Sequence, residues 1–189
     1  MQSNYQAFVA IILLAASIVF AMHGKWVPAI VVVVAGTAYI NLAMQKRAPT
    51  GKYDDSARYM DWAITTPLIV GTILLANRFS YKKIGYLMAL DVLMIYSGYM
   101  AKKKMQEGEH HNGWMWFLIS SVFFAPILYN LMLVERSKSL AYYTAALWFA
   151  YPIVWALAAL NKMTPETTDY LYGLMDCMAK IGFGVFAMM

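Results

Sequence analysis

Seven stretches of this chain are almost wholly apolar, and only short polar links separate them. They run over about residues 5–22, 26–45, 57–76, 83–101, 114–134, 140–160 and 169–188. A helix needs about 20 apolar residues to cross the hydrocarbon core of a bilayer. Lipid offers the backbone no hydrogen-bond partners, so a spanning segment is either a helix or a strand of a closed barrel. Barrel strands alternate apolar and polar residues, and runs such as Ile30 to Ala35 do not. The expected fold is all-α, a seven-transmembrane-helix bundle forming one domain over residues 1–189.

Composition agrees. Residues are 61% hydrophobic and 13% charged, where soluble domains carry about 25% charged residues. The net charge of +5 does not suggest nucleic acid, because the basic residues fall in short links. A single cysteine, Cys177, implies neither a disulfide nor a cysteine-based metal site, and no metal is expected. The first apolar run lacks a basic segment before it and a convincing cleavage site, so it reads as the first span.

The links are informative mainly by their brevity. His23-Gly24-Lys25 nearly makes a hairpin of the first two spans. The link at 46–56 carries Pro49, Gly51, Asp54 and Asp55, and the longest polar stretch runs from Lys102 to Asn112. Orientation cannot be read from charge. With the N-terminus outside, six basic residues (Lys25, Arg78, Lys82, Lys83, Arg136, Lys138) face the cytoplasm against seven outside (Lys46, Arg47, Lys52, Lys102, Lys103, Lys104, Lys162).

Most acids lie in links or, like Asp169, at a span end; only Asp61, Asp91 and Asp176 are well inside spans. Arg58 and Lys180 are the basic residues inside spans. An isolated charge in an apolar bundle is expensive, so these five are expected to converge. Asp176 precedes Lys180 by four positions and shares its helical face. Lys180 has two readings: a side chain snorkelling to the interface, or a desolvated amine able to form a Schiff base with a carbonyl compound. Arg58, Asp61, Thr65 and Thr72 lie along one stripe of the third span. Hydroxyls there can simply join helices, whereas a paired charge deep in a span usually marks an ion or proton path. Trp148, Tyr151 and Trp155 share a face of the sixth span, a pattern that serves packing as readily as a cofactor wall. Pro67, Pro126 and Pro152 each interrupt a span and are expected to kink it.

Three segments carry a specific resemblance. Arg58-Tyr59-Met60-Asp61-Trp62-Ala63-Ile64-Thr65-Thr66-Pro67-Leu68 resembles the third helix of microbial (type 1) rhodopsins. Trp148-x-x-Tyr151-Pro152-x-x-Trp155 resembles their sixth, and Asp176-x-x-x-Lys180-x-Gly182-Phe183-Gly184 their seventh. The resemblance extends over all seven spans. It implies an extracellular N-terminus, a cytoplasmic C-terminus, and all-trans retinal bound to Lys180 as a protonated Schiff base in the cell membrane. It implies Asp61 as counter-ion and proton acceptor, Asp176 as second counter-ion, and Arg58 as the group that stabilises both. It further implies that Thr65 bonds Asp61, that Tyr39 and Tyr151 bond the counter-ion region, and that Trp62, Trp148 and Trp155 enclose the polyene. Thr66 and Asp91 would join the third and fourth spans. Met94, Gly98, Ser120 and Ser121 would line the ionone-ring end, with Phe117 where the family often has Trp, and Pro152 lies in the matching sixth-helix motif. Partners implied are the lipid bilayer, protons or small cations, and further copies of the chain in a trimer or pentamer.

Departures from the family pattern narrow the subtype. Pumps often carry a carboxylate eleven residues after the counter-ion as proton donor; here that position is Thr72. The pair of extracellular release glutamates is also missing, and Glu166 and Asp169 lie near that region out of register. Asp176 argues against an inward pump, and Asp61 against chloride and sodium pumps. The expectation is an outward proton pump with slow, pH-dependent reprotonation. A light-gated cation channel using Thr65, Thr72 and Asn41, and a sensory photoreceptor, are the alternatives; an enzyme is not expected. Apolar Ile69 and Ala179 imply green rather than blue absorption.

Overall fold

The computed structural model describes residues 2–48 and 54–189. Seven helices follow in order: α1 (Gln2–Met22), α2 (Trp26–Arg47), α3 (Ser56–Ala76), α4 (Tyr81–Gln106), α5 (His110–Met132), α6 (Lys138–Ala159) and α7 (Pro165–Met188). All seven are long and apolar enough to cross a membrane, and no strand occurs among the described residues. Large apolar side chains are left exposed along them, as with Phe8, Ile11 and Ile18 on α1. In water such exposure would be costly; against acyl chains it is favourable. The chain is an integral membrane protein.

Helix ends depart from the apolar runs for local reasons. The link between α1 and α2 turns at Gly24, whose φ of +69° suits a residue without Cβ. The fourth helix runs on to Gln106 because Lys102 to Lys104 are good helix formers, and Gly108 at φ +81° follows its end. The seventh begins at Pro165, ahead of its apolar run. The Thr164 hydroxyl accepts from the Thr167 N–H at 3.2 Å, Pro165 takes the first position, and Glu166 faces the positive helix end. Pro49, Gly51 and Lys52 of the second link lie outside the described residues. Pro67, Pro126 and Pro152 are all inside helices.

The chain packs as two units. One comprises Met1–Asp61 with Ala146–Met189. Its core is built by Val9, Leu13 and Phe20 of α1 against Val32, Ala35, Tyr39 and Leu42 of α2. Glycine permits a close approach to α7: a Cβ on Gly184 would stand 2.1 Å from the Phe20 ring. Buried in the same unit is Gln6, neither of whose amide atoms has a hydrogen-bond partner among the described residues.

The other unit comprises Trp62–Ala145, with α4 packed along α5. Its α3–α4 and α5–α6 turns are joined through Asn77. The Asn77 amide donates to the Ser137 hydroxyl at 2.6 Å, and its oxygen accepts the Arg136 N–H at 2.8 Å.

Candidate functional site

The fully buried Lys180 is the centre of the first unit. Its Nζ donates to Asp176 Oδ1 at 2.8 Å and to Asp61 Oδ2 at 2.9 Å. The four-residue spacing places Asp176 one turn from Lys180 on α7, while Asp61 reaches the amine from α3. Lys180 is 2% exposed, which excludes snorkelling to an interface. Burying an ammonium and two carboxylates is tolerable only because each charge has an opposite neighbour in hydrogen-bonding geometry.

Asp176 is further tied down by two phenols. Tyr39 of α2 donates to Oδ2 at 2.7 Å, and Tyr151 of α6 to Oδ1 at 2.9 Å. Its carboxylate therefore accepts from three donors on three helices. The Tyr39 ring is also the link to Arg58, whose guanidinium carbon lies 5.7 Å from its centroid and 5.2 Å from that of Tyr172.

Arg58 points to a second set of charges. Its Nη1 donates to Asp169 Oδ1 at 3.2 Å and lies 3.7 Å from Asp55 Oδ2. Asp169 is in turn bonded through Oδ2 to Lys46 Nζ. These groups are nearly enclosed: side-chain exposure is 1% for Arg58, 8% for Lys46, 10% for Asp55 and 12% for Asp169. From sequence, Lys46 and Asp55 are link residues and Asp169 stands out of register at a span end. The structure makes all three part of a buried ion network. The signal available in the sequence was weak: Lys46 lies four positions beyond buried Leu42 and Asp169 three before buried Tyr172, on the inward faces of their helices.

Of the five in-span charges, Arg58, Asp61, Asp176 and Lys180 belong to the first unit. Asp91 belongs to the second unit, where one of its oxygens accepts the Thr66 hydroxyl. A hydroxyl partner makes a buried carboxyl group tolerable. Thr66 also approaches the Trp62 carbonyl at 2.8 Å. In this unit the Ser120 hydroxyl donates to the Met94 carbonyl at 2.8 Å and that of Ser121 to the Phe117 carbonyl at 2.9 Å. Gly98 is half-buried on α4. Thr65 is buried, and Thr72 spends its hydroxyl proton on the Leu68 carbonyl at 2.7 Å. Trp62 and Trp148 are buried, Trp155 and Pro152 half-buried. Ile69 and Ala179 are buried, whereas Asn41 is exposed and accepts from Gln45 at 2.6 Å.

This donor set suits a carbonyl cofactor held through an amine. Lys180 is withdrawn from water, as a persistent imine requires, and two carboxylates stand ready to balance a cation at Nζ. Among the described residues no group of three metal-ligating side chains occurs.

Comparison with known proteins shows the family. The family model described as bacteriorhodopsin-like protein matches residues 3–189. The chain belongs to that family, whose members bind retinal and act as light-driven transporters or sensors, not as enzymes. A bacteriorhodopsin-II-like protein of Haloquadratum walsbyi is 33% identical over 144 residues, covering 68% of this chain and 58% of that protein. Archaerhodopsin-2 of a Halobacterium species is 31% identical over 145 residues, covering 68% and 54%. The chain thus spans little more than half the length of these curated relatives. Among solved structures, the proton-pumping rhodopsin AR2 of the marine alga Acetabularia acetabulum superimposes with a TM-score of 0.88. It is 24% identical, over 99% of this chain and 92% of that one, a likeness that establishes the fold.

Proposed function

We propose that this chain is a light-driven outward proton pump that recovers slowly because it has no carboxylate proton donor. The observation that carries the reading is the Lys180 amine held between Asp61 and Asp176. All-trans retinal, joined covalently to Lys180, would supply a light-driven change in the direction and basicity of Nζ. A free ammonium donates to both carboxylates; once linked, Nζ keeps a single N–H, and the two compete for it. Asp176 already accepts from Tyr39 and Tyr151, which hold it in place as an acceptor. Asp61 is therefore the proton acceptor and Asp176 the fixed anion. Arg58 balances the excess negative charge and guards the route toward Asp169.

Return of a proton to Nζ is the slow step. Thr72 stands where a donor carboxylate would, and its hydroxyl proton is committed to the Leu68 carbonyl. A hydroxyl does not ionise near neutral pH, so the proton must come from bulk water at a rate set by its concentration. The reading places the N-terminus outside, the C-terminus in the cytoplasm, and several copies of the chain together in the cell membrane. It finds support in the proton-pumping relative of the same fold.

Voltage clamp of cells supplied with retinal tests it. Outward photocurrent that does not reverse is expected. Current that reverses with the cation gradient would make the protein a channel, and coloured protein without current would make it a sensor. Recovery should slow by roughly tenfold per pH unit between about pH 6 and 9, and Thr72→Glu should flatten that dependence. A flat profile in the parent protein would refute the missing-donor argument.

A further inference from the structure

We propose that the joined α3–α4 and α5–α6 turns of the second unit form a surface that binds the phosphate headgroups of anionic lipids, and that Arg78 is kept for that contact. Five cations stand on these turns: Arg78, Lys82 and Lys83 on one, Arg136 and Lys138 on the other. All five are exposed, and among the described residues none is in an ion pair. The one acid beside them, Glu135, is exposed as well. At the other end of α4 the pattern differs, because Lys104 is paired there with Glu107 at 2.9 Å and Glu109 at 3.0 Å. The bonds from Asn77 to Ser137 and from Arg136 to Asn77 hold the two cationic turns side by side. Like charges gathered in this way repel one another, so the fold gains nothing from them.

Arg78 carries the argument furthest. Its φ of +59° lies in the left-handed region that an L side chain seldom adopts. Its N–H donates to the Leu75 carbonyl at 3.0 Å and that of Phe79 to the Leu74 carbonyl at 3.1 Å, the paired closure of a helix C-terminus. Three other turns close with the same pair of bonds, and there the left-handed residue is Gly24, Gly108 or Asn161. Those residue types take the position at least cost. An arginine there costs the fold stability and forms no ion pair in return. Lys82 and Lys83 lie in the first turn of α4 and Lys138 opens α6, where the positive helix end disfavours a cation and no acid is present. Strain kept at an exposed, unpaired charge points to function.

The bilayer supplies the counter-charge. These turns join membrane-spanning helices and so lie at its surface. Tyr81, Tyr86 and Tyr142 are exposed on the adjoining turns of α4 and α6, as aromatic side chains at the headgroup level are. Lys83 Nζ lies 4.7 Å from the Phe79 ring centroid, and Lys138 Nζ 5.6 Å from that of Tyr142. A lysine braced on a ring keeps its stem on apolar surface and its ammonium among the headgroups. Clustered Lys and Arg beside a membrane helix attract anionic lipid, and headgroup phosphates are the anions within reach.

Native mass spectrometry of the whole protein in mild detergent, titrated with phosphatidylglycerol or phosphatidylcholine, tests this. The parent is expected to prefer phosphatidylglycerol, and to lose that preference as salt is raised. Arg78→Gly should weaken the preference about fivefold, while its melting temperature stays level or rises because glycine relieves the left-handed strain. Arg78→Lys should keep the preference, and the double variant Lys83→Gln/Lys138→Gln should weaken it about 25-fold. Lys103→Gln, which removes the same charge from the other end of α4, should leave it unchanged. An equal loss with Lys103→Gln would mean that binding follows net charge, and would overturn the proposal. So would a parent that binds both lipids alike, which would leave an acidic protein face as the occupant. Displacement of the lipid by an equal concentration of inorganic phosphate would make this a free-anion site and overturn it too. A lower melting temperature in Arg78→Gly would show that Arg78 is kept for the fold and not for binding.

Discussion

Removing the charge of Lys180 should destabilise the retinal-free protein, and removing Asp61 as well should restore it. At the observed 2.8 and 2.9 Å, each carboxylate attracts the ammonium by about 6 kcal/mol at an effective dielectric near 20. Desolvating the ammonium costs several kcal/mol against this sum. Lys180→Met gives up the balance and leaves two anions facing each other, a loss of about 3–5 kcal/mol. For a chain of this size that corresponds to roughly 6–20 °C in melting temperature. Asp61→Asn has opposite signs in the two backgrounds. It lowers the melting temperature of the parent, where it removes a partner of Lys180. It raises that of Lys180→Met, where Asp176 alone remains, held by Tyr39 and Tyr151. Helical circular dichroism on heating in mild detergent reads all four proteins. A Lys180→Met melt within about 2 °C of the parent, or an Asp61→Asn effect of one sign throughout, would refute the account of the triad.

Two further outcomes test the packing around it. Gln6→Met should raise stability by about 1–3 kcal/mol in the same melt, because it replaces a buried amide that has no partner among the described residues with a flexible apolar side chain. Gly184→Ala should lose about 1–3 kcal/mol, since its Cβ would meet the Phe20 ring at 2.1 Å, and Phe20→Leu in that background should recover part of the loss.

Much of this site was legible in the residues alone. Charges are so costly within apolar spans that Lys180, Asp61 and Asp176 stand out, and the four-residue spacing already put two of them on one face. The span count and helix type followed from the absence of water as a backbone partner. Legibility ended where a side chain's direction mattered more than its neighbours in sequence. Lys46 looks like any basic residue at a span end, and only the packing of α2 against α7 turns it onto Asp169. Asp91 looked in the sequence like one more intramembrane charge, and nothing in its local pattern announced that the Thr66 hydroxyl would be its partner. The start of α7 was hidden because Thr164-Pro165-Glu166 is polar, though it caps a helix well.

The Asn77 contacts bear on how readily one end of the second unit can part. Any movement that separates the α3–α4 turn from the α5–α6 turn must break two bonds, to Ser137 and from Arg136. At about 1 kcal/mol net for each, the parted form would hold roughly 3% of molecules at rest. That is rare enough to keep this end shut at rest and common enough for a modest displacement of either turn to open it. The side chain of one asparagine would thus act as a detent, and its replacement by alanine would leave the two turns free to drift.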